Sequence, residues 1–485
     1  MTVPDNPNVD FELTTKNREL LILAIFLALG LLTRFFGIEY QSLWIDEGST
    51  FYYSHFTWEQ FQTANEPNSP VYYMMEGVFL DILGQTEFGI RFSSAVAGAL
   101  TVPLAYLLSM KLFNSRSAAL MTSALFLLSP YCLFYGQEAR GYMMVLLLFM
   151  LQLYVLLYAL ETKRNIFWIV FAVLSAIQFM MQFSGLLATI VLYIYALFIC
   201  LRSKESEDKK RISIQMIWSG LLFFLLASPV IKFAYDTMTI SAGHEKWSWC
   251  LVGIDYFIGL LNDFLFENMV ISIIFLILAG SGLYLCYKRQ KDHFILLCFI
   301  IFIPLALSTA LSFKMNMTPR YVLWAVTGLY LVIPFFLSVI DADVLKTKKA
   351  AIAIYAVLII IAVSVLPTYY TEVTKEDFRA GAKVLSENVK QGDLVLYAIG
   401  SENSVYASFS FYYDPVKDGI ETRGVSSNEQ LWEYTDSPAY DNIYILILAD
   451  YDPVDYLLHL ESDNCEHICE AYRINVFRIT GPLPH

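Results

Sequence analysis

Charge is what this chain has least of. Asp, Glu, Lys and Arg make up 16% of its 485 residues, where a soluble globular chain carries about 25%. So little polar surface cannot cover a water-soluble body of this length. An ordinary soluble enzyme and a disordered chain are both excluded. Positive charge is scarcest, with 32 Lys and Arg against 45 Asp and Glu and a formal net of −13. That balance excludes nucleic acid as a partner. Cysteine is also sparse, at seven residues. Cys132, Cys200, Cys250, Cys286 and Cys298 lie in or beside apolar runs, where cysteine acts as a small hydrophobe. Cys465 and Cys469 lie in a polar region, as a simple pair or unlinked. Cys-Glu-His-Ile-Cys, with His467, offers three metal donors and no fourth. No metal and no cofactor is therefore expected.

What is abundant is apolar: 57% of residues are hydrophobic and mean hydropathy is +0.53. Apolar segments fall near 20–38, 90–113, 118–135, 142–160, 166–183, 186–201, 212–235, 270–287, 294–313, 321–340 and 350–366. Each is long enough to cross a hydrocarbon core of roughly 30 Å at about 1.5 Å per residue. Residues 251–266 are apolar as well and add an extra or re-entrant helix. The expected fold is mainly α and polytopic, with about eleven spans and at most thirteen. Lys16 and Arg18 precede the first segment, but no small-x-small cleavage site follows it, so it reads as a retained span.

Lysine and arginine set the orientation, because cytoplasmic loops carry their excess. With the N-terminus cytoplasmic, the inside loops hold 17 of them. The other side of the membrane region holds 7: Arg34, Arg91, Arg140, Lys232, Lys246, Lys314 and Arg320. An odd number of spans puts the C-terminus outside. The expected domains are a transmembrane domain over 1–368, with a long outside loop at 39–89, and a soluble domain over 369–485. From Tyr369 onward there are 20 Asp and Glu against 8 Lys and Arg. Strand-like runs near 393–397, 443–449 and 474–479 alternate there with helical patterns near 378–389 and 454–460, which reads as an extracytoplasmic α/β domain.

Charges at membrane depth are costly, so their positions carry information. The long outside loop opens with Trp44-Ile45-Asp46-Glu47 and is rich in aromatics that suit short interfacial helices. The third segment ends in Glu138-Ala139-Arg140-Gly141-Tyr142. Pro319-Arg320-Tyr321 follows the ninth, and Lys232 and Lys314 lie at outer span ends. Carboxylates and cations from distant parts of the chain thus share one membrane face. Taken singly, an acid in the first helical turn also complements the helix dipole, and a cation at a span end also acts as a snorkelling anchor.

The order of these residues resembles the GT-C superfamily of integral-membrane glycosyltransferases. It is most similar to the branch holding protein O-mannosyltransferases and bacterial lipid A aminoarabinose transferases. The resemblance is carried by Trp44-x-Asp46-Glu47 after a span containing Arg34, by Pro70-x-Tyr72-Tyr73, by Glu138-Ala139-Arg140-x-Tyr142, and by Arg320-Tyr321 opening a late span. Lys375-Glu376-Asp377-Phe378-Arg379 looks like the entry to the extracytoplasmic domain of many prokaryotic members. Two departures concern the sugar. Asn68-Ser69-Pro70 stands where many members have His or Lys before Pro-Pro, and Gln182 stands where relatives carry a His.

The resemblance implies a sugar transferase in the cell membrane, working on its outer face. A polyprenyl-phosphate sugar, by default a hexose such as mannose, is the implied donor, and an acceptor hydroxyl attacks with inversion. Asp46 is the implied base that takes the acceptor proton. Glu47 is the second choice, or an orienting group. Arg140 and Arg320, with Lys232 lower in rank, are the implied ligands of the departing phosphate. Tyr142 and Tyr321 either join them or belong to an interfacial aromatic belt. Arg34, Glu138, Asn68, Tyr72 and Tyr73 are the remaining implied substrate contacts. The acceptor is open between protein, lipid-linked glycan and polysaccharide. A flippase for lipid-linked glycans, expected to show inverted repeats and midplane charges, and a catalytically silent acceptor-binding subunit are the alternatives.

Overall fold

The computed structural model describes residues 7–64, 68–243, 250–343, 348–398, 404–449, 457, 460 and 462–483. The chain forms two compact units, and neither is a continuous piece of sequence. One is built from Met1–Phe36, Phe61–Tyr72 and Ser93–Tyr370, the other from Gly37–Gln60, Tyr73–Phe92 and Thr371–His485. The last join lies beside the expected division at 368. The second unit also draws in residues 37–60 and 73–92, which carry the acid pair.

Every apolar segment named above falls on a helix in the first, helical unit or at its edge. Among the described residues, six helices are long and apolar enough to cross a membrane: Glu87–Phe113, Tyr142–Thr162, Gly185–Arg202, Ser206–Thr239, Met269–Arg289 and Lys291–Leu311. Arg116–Leu128 and Pro130–Gly136 make a seventh if they are one span bent by 56°. Asn165–Met181 and Pro319–Phe335 are shorter apolar helices. Residues 251–266 fold as the 11-residue helix Ile254–Phe264, too short to span a bilayer by itself.

The break at Pro130 has a clear cause. Proline has no N–H, so the carbonyl of Phe126 loses its helical donor. Ser129 starts the next helix by accepting from the Cys132 N–H. In an apolar medium the freed carbonyls need another donor. Arg34 supplies it: its guanidinium donates to Phe126 O at 2.6 Å and to Leu127 O at 2.9 Å. Gly98 and Gly136 make room, since a Cβ on either would meet Arg34 Cγ at 3.3 or 3.0 Å. A second polar cluster is satisfied inside this unit. Gln152 and Gln178 bond each other, and Ser175 and Thr189 donate to them.

The second unit is built on a five-stranded sheet with order β2-β1-β3-β5-β4. Its strands are β1 Leu394–Ala398, β2 Glu421–Val425, β3 Ile443–Leu448, β4 Cys465–Ala471 and β5 Ile474–Ile479. β1 pairs in parallel with β2 and β3, while β5 runs antiparallel to β3 and β4. β3 is buried at every position. Ile443, Ile445 and Ile447 enter one core, and Tyr444, Leu446 and Leu448 enter the core on the other face. A sheet covered on both faces needs such a continuous apolar run. β1, β3 and β5 and the helix Phe378–Asn388 lie where the sequence pattern puts them. The edge strands β2 and β4 carry exposed polar residues and no apolar alternation, and sequence pattern alone misses them. The helical pattern at 454–460 lies, except for Leu457 and Leu460, outside the described residues.

The long loop is helical, as its aromatic content suggests: Ile45–Ser54, Trp58–Thr63 and Pro70–Leu83. Ile45–Ser54 packs on Ser404–Ser410 at Gly48, where a Cβ would come within 1.9 Å of Ser408 Oγ and 2.8 Å of its Cα. Overpacking of this kind costs about 1–3 kcal/mol. Gly48→Ala is therefore expected to lower the thermal unfolding temperature of the purified protein, and an unchanged temperature would refute this close packing.

Candidate functional site

The acid pair occupies the first turn of Ile45–Ser54, and its two members have different surroundings. Glu47 is completely buried. Arg91 grips it with two N–H groups, Nε to Oε1 at 2.7 Å and Nη2 to Oε2 at 2.7 Å. Lys375 Nζ adds a third contact to Oε2 at 3.1 Å, and the Trp44 N–H approaches the same oxygen at 3.4 Å. Arg91 spends its other N–H groups on the carbonyls of Ile38, Gln41 and Ser42, at 2.7, 2.8 and 2.9 Å. All five donors of one guanidinium are thereby used. Asp46, one residue earlier, is partly exposed.

The residues around this turn come from the sheet side of the same unit. Glu376 is buried, and burial pushes its carboxyl above the ordinary range, opposed by Arg473 at 3.5 Å. Tyr412 donates its hydroxyl to Glu87 at 2.8 Å and accepts from the Leu43 N–H at 2.8 Å. Burial, reinforced by the Glu87 charge, pushes that hydroxyl well above its ordinary value and keeps its proton in place. Asp377 caps the helix Phe378–Asn388 through the Ala380 N–H. Tyr73 is buried here, its ring 5.4 Å from that of Tyr53.

In the helical unit a separate group of aromatic rings surrounds one cation. The Arg320 guanidinium lies 5.6 Å from the centre of the Tyr142 ring and 5.9 Å from that of Tyr321. Tyr142 continues edge-on to Tyr135 at 5.4 Å, and Tyr135 to Tyr131 at 4.9 Å. Tyr135 feels the charges of both Glu138 and Arg320. Glu138 is fully buried and Arg140 nearly so, and the Ser94 hydroxyl donates to the Arg140 carbonyl at 3.1 Å. Arg320 and Tyr321 are half-buried, as a cation and an aromatic wall at an open site would be.

Other expected contacts lie elsewhere in this unit. Arg34 is buried and bound to the broken helix, which gives it a structural partner. Lys232 and Lys314 are exposed. Asn68 is half-buried, Tyr72 is buried, and Ser69 between them donates to the Met180 carbonyl. Gln182 closes the C-terminal end of Asn165–Met181. Arg91 and Lys375 are the two participants that sequence reasoning did not single out. Their signals were present: Arg91 is a charge inside an apolar run, and Lys375 opens the Lys-Glu-Asp-Phe-Arg stretch.

Cys465 and Cys469 are both free. They lie four residues apart on β4, about 13 Å in extended chain, beyond the roughly 7 Å that a disulfide spans. His467 is stacked on Phe477 and bonds Asn475 at 3.0 Å. Among the described residues, no group of three or more His, Cys, Asp or Glu is arranged to hold a metal.

Removing one partner of a buried ion pair costs about 3–5 kcal/mol, because the other charge stays buried. Arg91→Met is expected to destabilise the protein by that amount in thermal or denaturant unfolding. A variant as stable as the parent would refute the role of Arg91 as counter-charge to Glu47.

Residues 65–233 match the family model of dolichyl-phosphate-mannose-protein mannosyltransferases. None of the curated proteins matches the chain by sequence. Among solved structures, ArnT from Cupriavidus metallidurans in the apo state is similar at TM-score 0.63 and 11% identity, over 94% of this chain and 97% of that one. The same protein bound to undecaprenyl phosphate is similar at TM-score 0.60 and 12% identity over the same shares. Arabinofuranosyltransferase AftD from Mycobacteria is similar at TM-score 0.51 and 12% identity, over 96% of this chain and 40% of that one. This chain is therefore an integral membrane protein of the GT-C glycosyltransferase fold, with the mannosyltransferase family pattern across residues 65–233.

Proposed function

We propose that this protein transfers a sugar from a polyprenyl-phosphate donor to an acceptor hydroxyl, with Asp46 as the general base. One observation carries the assignment within the acid pair. Glu47 has its charge taken up by Arg91 and Lys375, and a carboxylate so held is a poor proton acceptor. Asp46 is the partly exposed member. The acceptor oxygen forms the new bond to the anomeric carbon and its proton passes to the Asp46 carboxylate. The bond to the phosphate oxygen breaks with inversion, and the polyprenyl phosphate leaves with the electron pair.

The leaving phosphate gains negative charge as that bond breaks, and a preorganised cation lowers the barrier. We assign this role to Arg320, whose planar fork lies 5.6 and 5.9 Å from the Tyr142 and Tyr321 ring centres and suits two phosphate oxygens. Arg140 is the second cation of the reading, and Tyr142 and Tyr321 are the walls that orient Arg320. The exposed Lys232 fits a headgroup anchor better than a phosphate ligand. Arg34, committed to the carbonyls of the broken helix, takes no substrate role in this reading, while Glu138, Asn68, Tyr72 and Tyr73 stay as candidate sugar and acceptor contacts. The undecaprenyl phosphate in the ArnT structure supports a polyprenyl-phosphate ligand. The charge bias of the loops supports a cytoplasmic N-terminus, with the chemistry on the opposite face. The donor sugar is by default a hexose such as mannose.

The test is release of free polyprenyl phosphate from a panel of polyprenyl-phosphate sugars by purified protein, with membrane extract as the source of acceptor. Asp46→Asn is expected to lower kcat by about 10²–10⁴-fold, the usual contribution of a general base, while donor binding persists. Full turnover by Asp46→Asn would overturn the base assignment. No release by the parent protein from any donor would favour a lipid-linked glycan flippase or a silent acceptor-binding subunit. Arg320→Lys keeps the charge and loses the fork. The loss of one charge-assisted hydrogen bond, about 1.5 kcal/mol, corresponds to about tenfold in kcat/KM. Unchanged kcat/KM would remove Arg320 from the phosphate site.

A further inference from the structure

We propose that Lys375 and Arg379 are positioning residues for Asp46: they hold the segment 38–47 in one conformation and so set the reactivity of the acid at its end. The inference rests on the reading of Asp46 as the acting base, and it assigns the Lys375-Glu376-Asp377-Phe378-Arg379 stretch a part in the reaction.

The segment that leads into the acid pair has no regular structure of its own between Gly37 and Trp44 beyond a turn. Its backbone groups need partners that are not neighbouring turns of a helix. Side chains supply several of them: Arg91 and Glu47 from the N-terminal part of the chain, Arg379 and Tyr412 from the C-terminal part. Arg379 Nη2 donates to the Glu39 carbonyl at 2.8 Å, and the Arg379 N–H donates to Ser42 Oγ at 3.1 Å. The same guanidinium grips Glu87, which also accepts from Tyr412. Gln41 Oε1 accepts from the Thr374 N–H, the Thr374 hydroxyl and the Lys375 N–H, at 2.9, 3.1 and 3.0 Å. Lys375 then turns its ammonium onto Glu47, the residue next to Asp46.

Charge explains why two cations are needed. Arg91 alone would neutralise Glu47, and Arg91 also holds three carbonyls of the segment. Lys375 adds a second positive charge at 5% exposure. A buried cation without a counter-charge is costly, and Glu47 provides it at 3.1 Å, one residue along from Asp46. Glu376, paired with Arg473 at 3.5 Å, fills the adjacent position and accepts from the Ile45 backbone N–H. The stretch thus ties the start of the sheet region to the acid-bearing turn at Lys375 and Arg379, four residues apart.

The test combines hydrogen exchange with kinetics on the full-length protein in detergent. Lys375→Met keeps most of the length of the side chain and removes its charge. Backbone amides of 38–48 should exchange at least tenfold faster in this variant than in the parent. With a donor that the parent uses, kcat should fall at least tenfold while the KM for donor stays within twofold. Lys375→Arg should restore most of both. Should Lys375→Met fail to fold, Arg379→Lys is the second variant. It keeps its charge, loses its fork, and should loosen 39–43 with a smaller fall in kcat. Unchanged exchange in a folded variant overturns the proposal whatever the activity. Faster exchange with unchanged kcat also overturns it, because the segment would then be held without consequence for Asp46. An inactive parent removes the transfer reading and the reactive part of the proposal, while the exchange experiment alone decides whether the two residues hold the segment.

Discussion

The ion pair between Glu47 and Arg91 is the constraint on which the second unit depends. A carboxylate with no exposure survives ionised only beside a cation and a full set of donors. Arg91 provides both, because one planar group binds the carboxylate with two N–H groups and reaches three backbone carbonyls with the rest. A lysine could not do this with three donors from a single point. The path of 38–47 follows from where that guanidinium sits. The first turn of Ile45–Ser54 follows from the path, and Gly48 then allows that helix to lie directly on Ser404–Ser410.

The helical unit meets the same requirement in a drier setting. Polar groups inside an apolar medium must be satisfied by the protein. Pro130 breaks a helix and frees carbonyls, and Arg34 fills them. Gln152, Gln178, Ser175 and Thr189 bond one another. In both units an arginine that looks like a ligand for something external is used on the protein's own backbone. Arg320 differs, since aromatic faces surround it and it stays half-exposed. Burial, more than residue type, separates a structural cation from a candidate phosphate ligand.

The order of the candidate residues along the chain was legible, because the resemblance to the GT-C pattern is one of order: an acid pair after the first span, an acid and arginine before a later one, and an arginine-tyrosine pair after that. The departures were legible too, at Asn68 and Gln182. Which member of the acid pair is buried was not. Asp46 and Glu47 are adjacent and chemically alike, and only the direction each side chain takes from a helical turn separates them. The pairing of Arg91 and Lys375 with Glu47 was not legible, for a related reason. They lie 44 and 328 residues from Glu47, and nothing local in either stretch names the partner.

Composition and periodicity by themselves determined the membrane class, the position of nearly every long helix and the three inner strands of the sheet. These depend on apolar runs of a given length and period, which are properties of neighbouring residues. The tertiary structure alone decided which residues share a unit, because 37–60 and 73–92 join the C-terminal sheet region through contacts made by single side chains. It also placed the edge strands β2 and β4, whose pairing comes from backbone hydrogen bonds to a strand already in place. It decided, finally, which acid is fully buried and which is partly exposed, since burial is set by what packs around a side chain once distant segments have met.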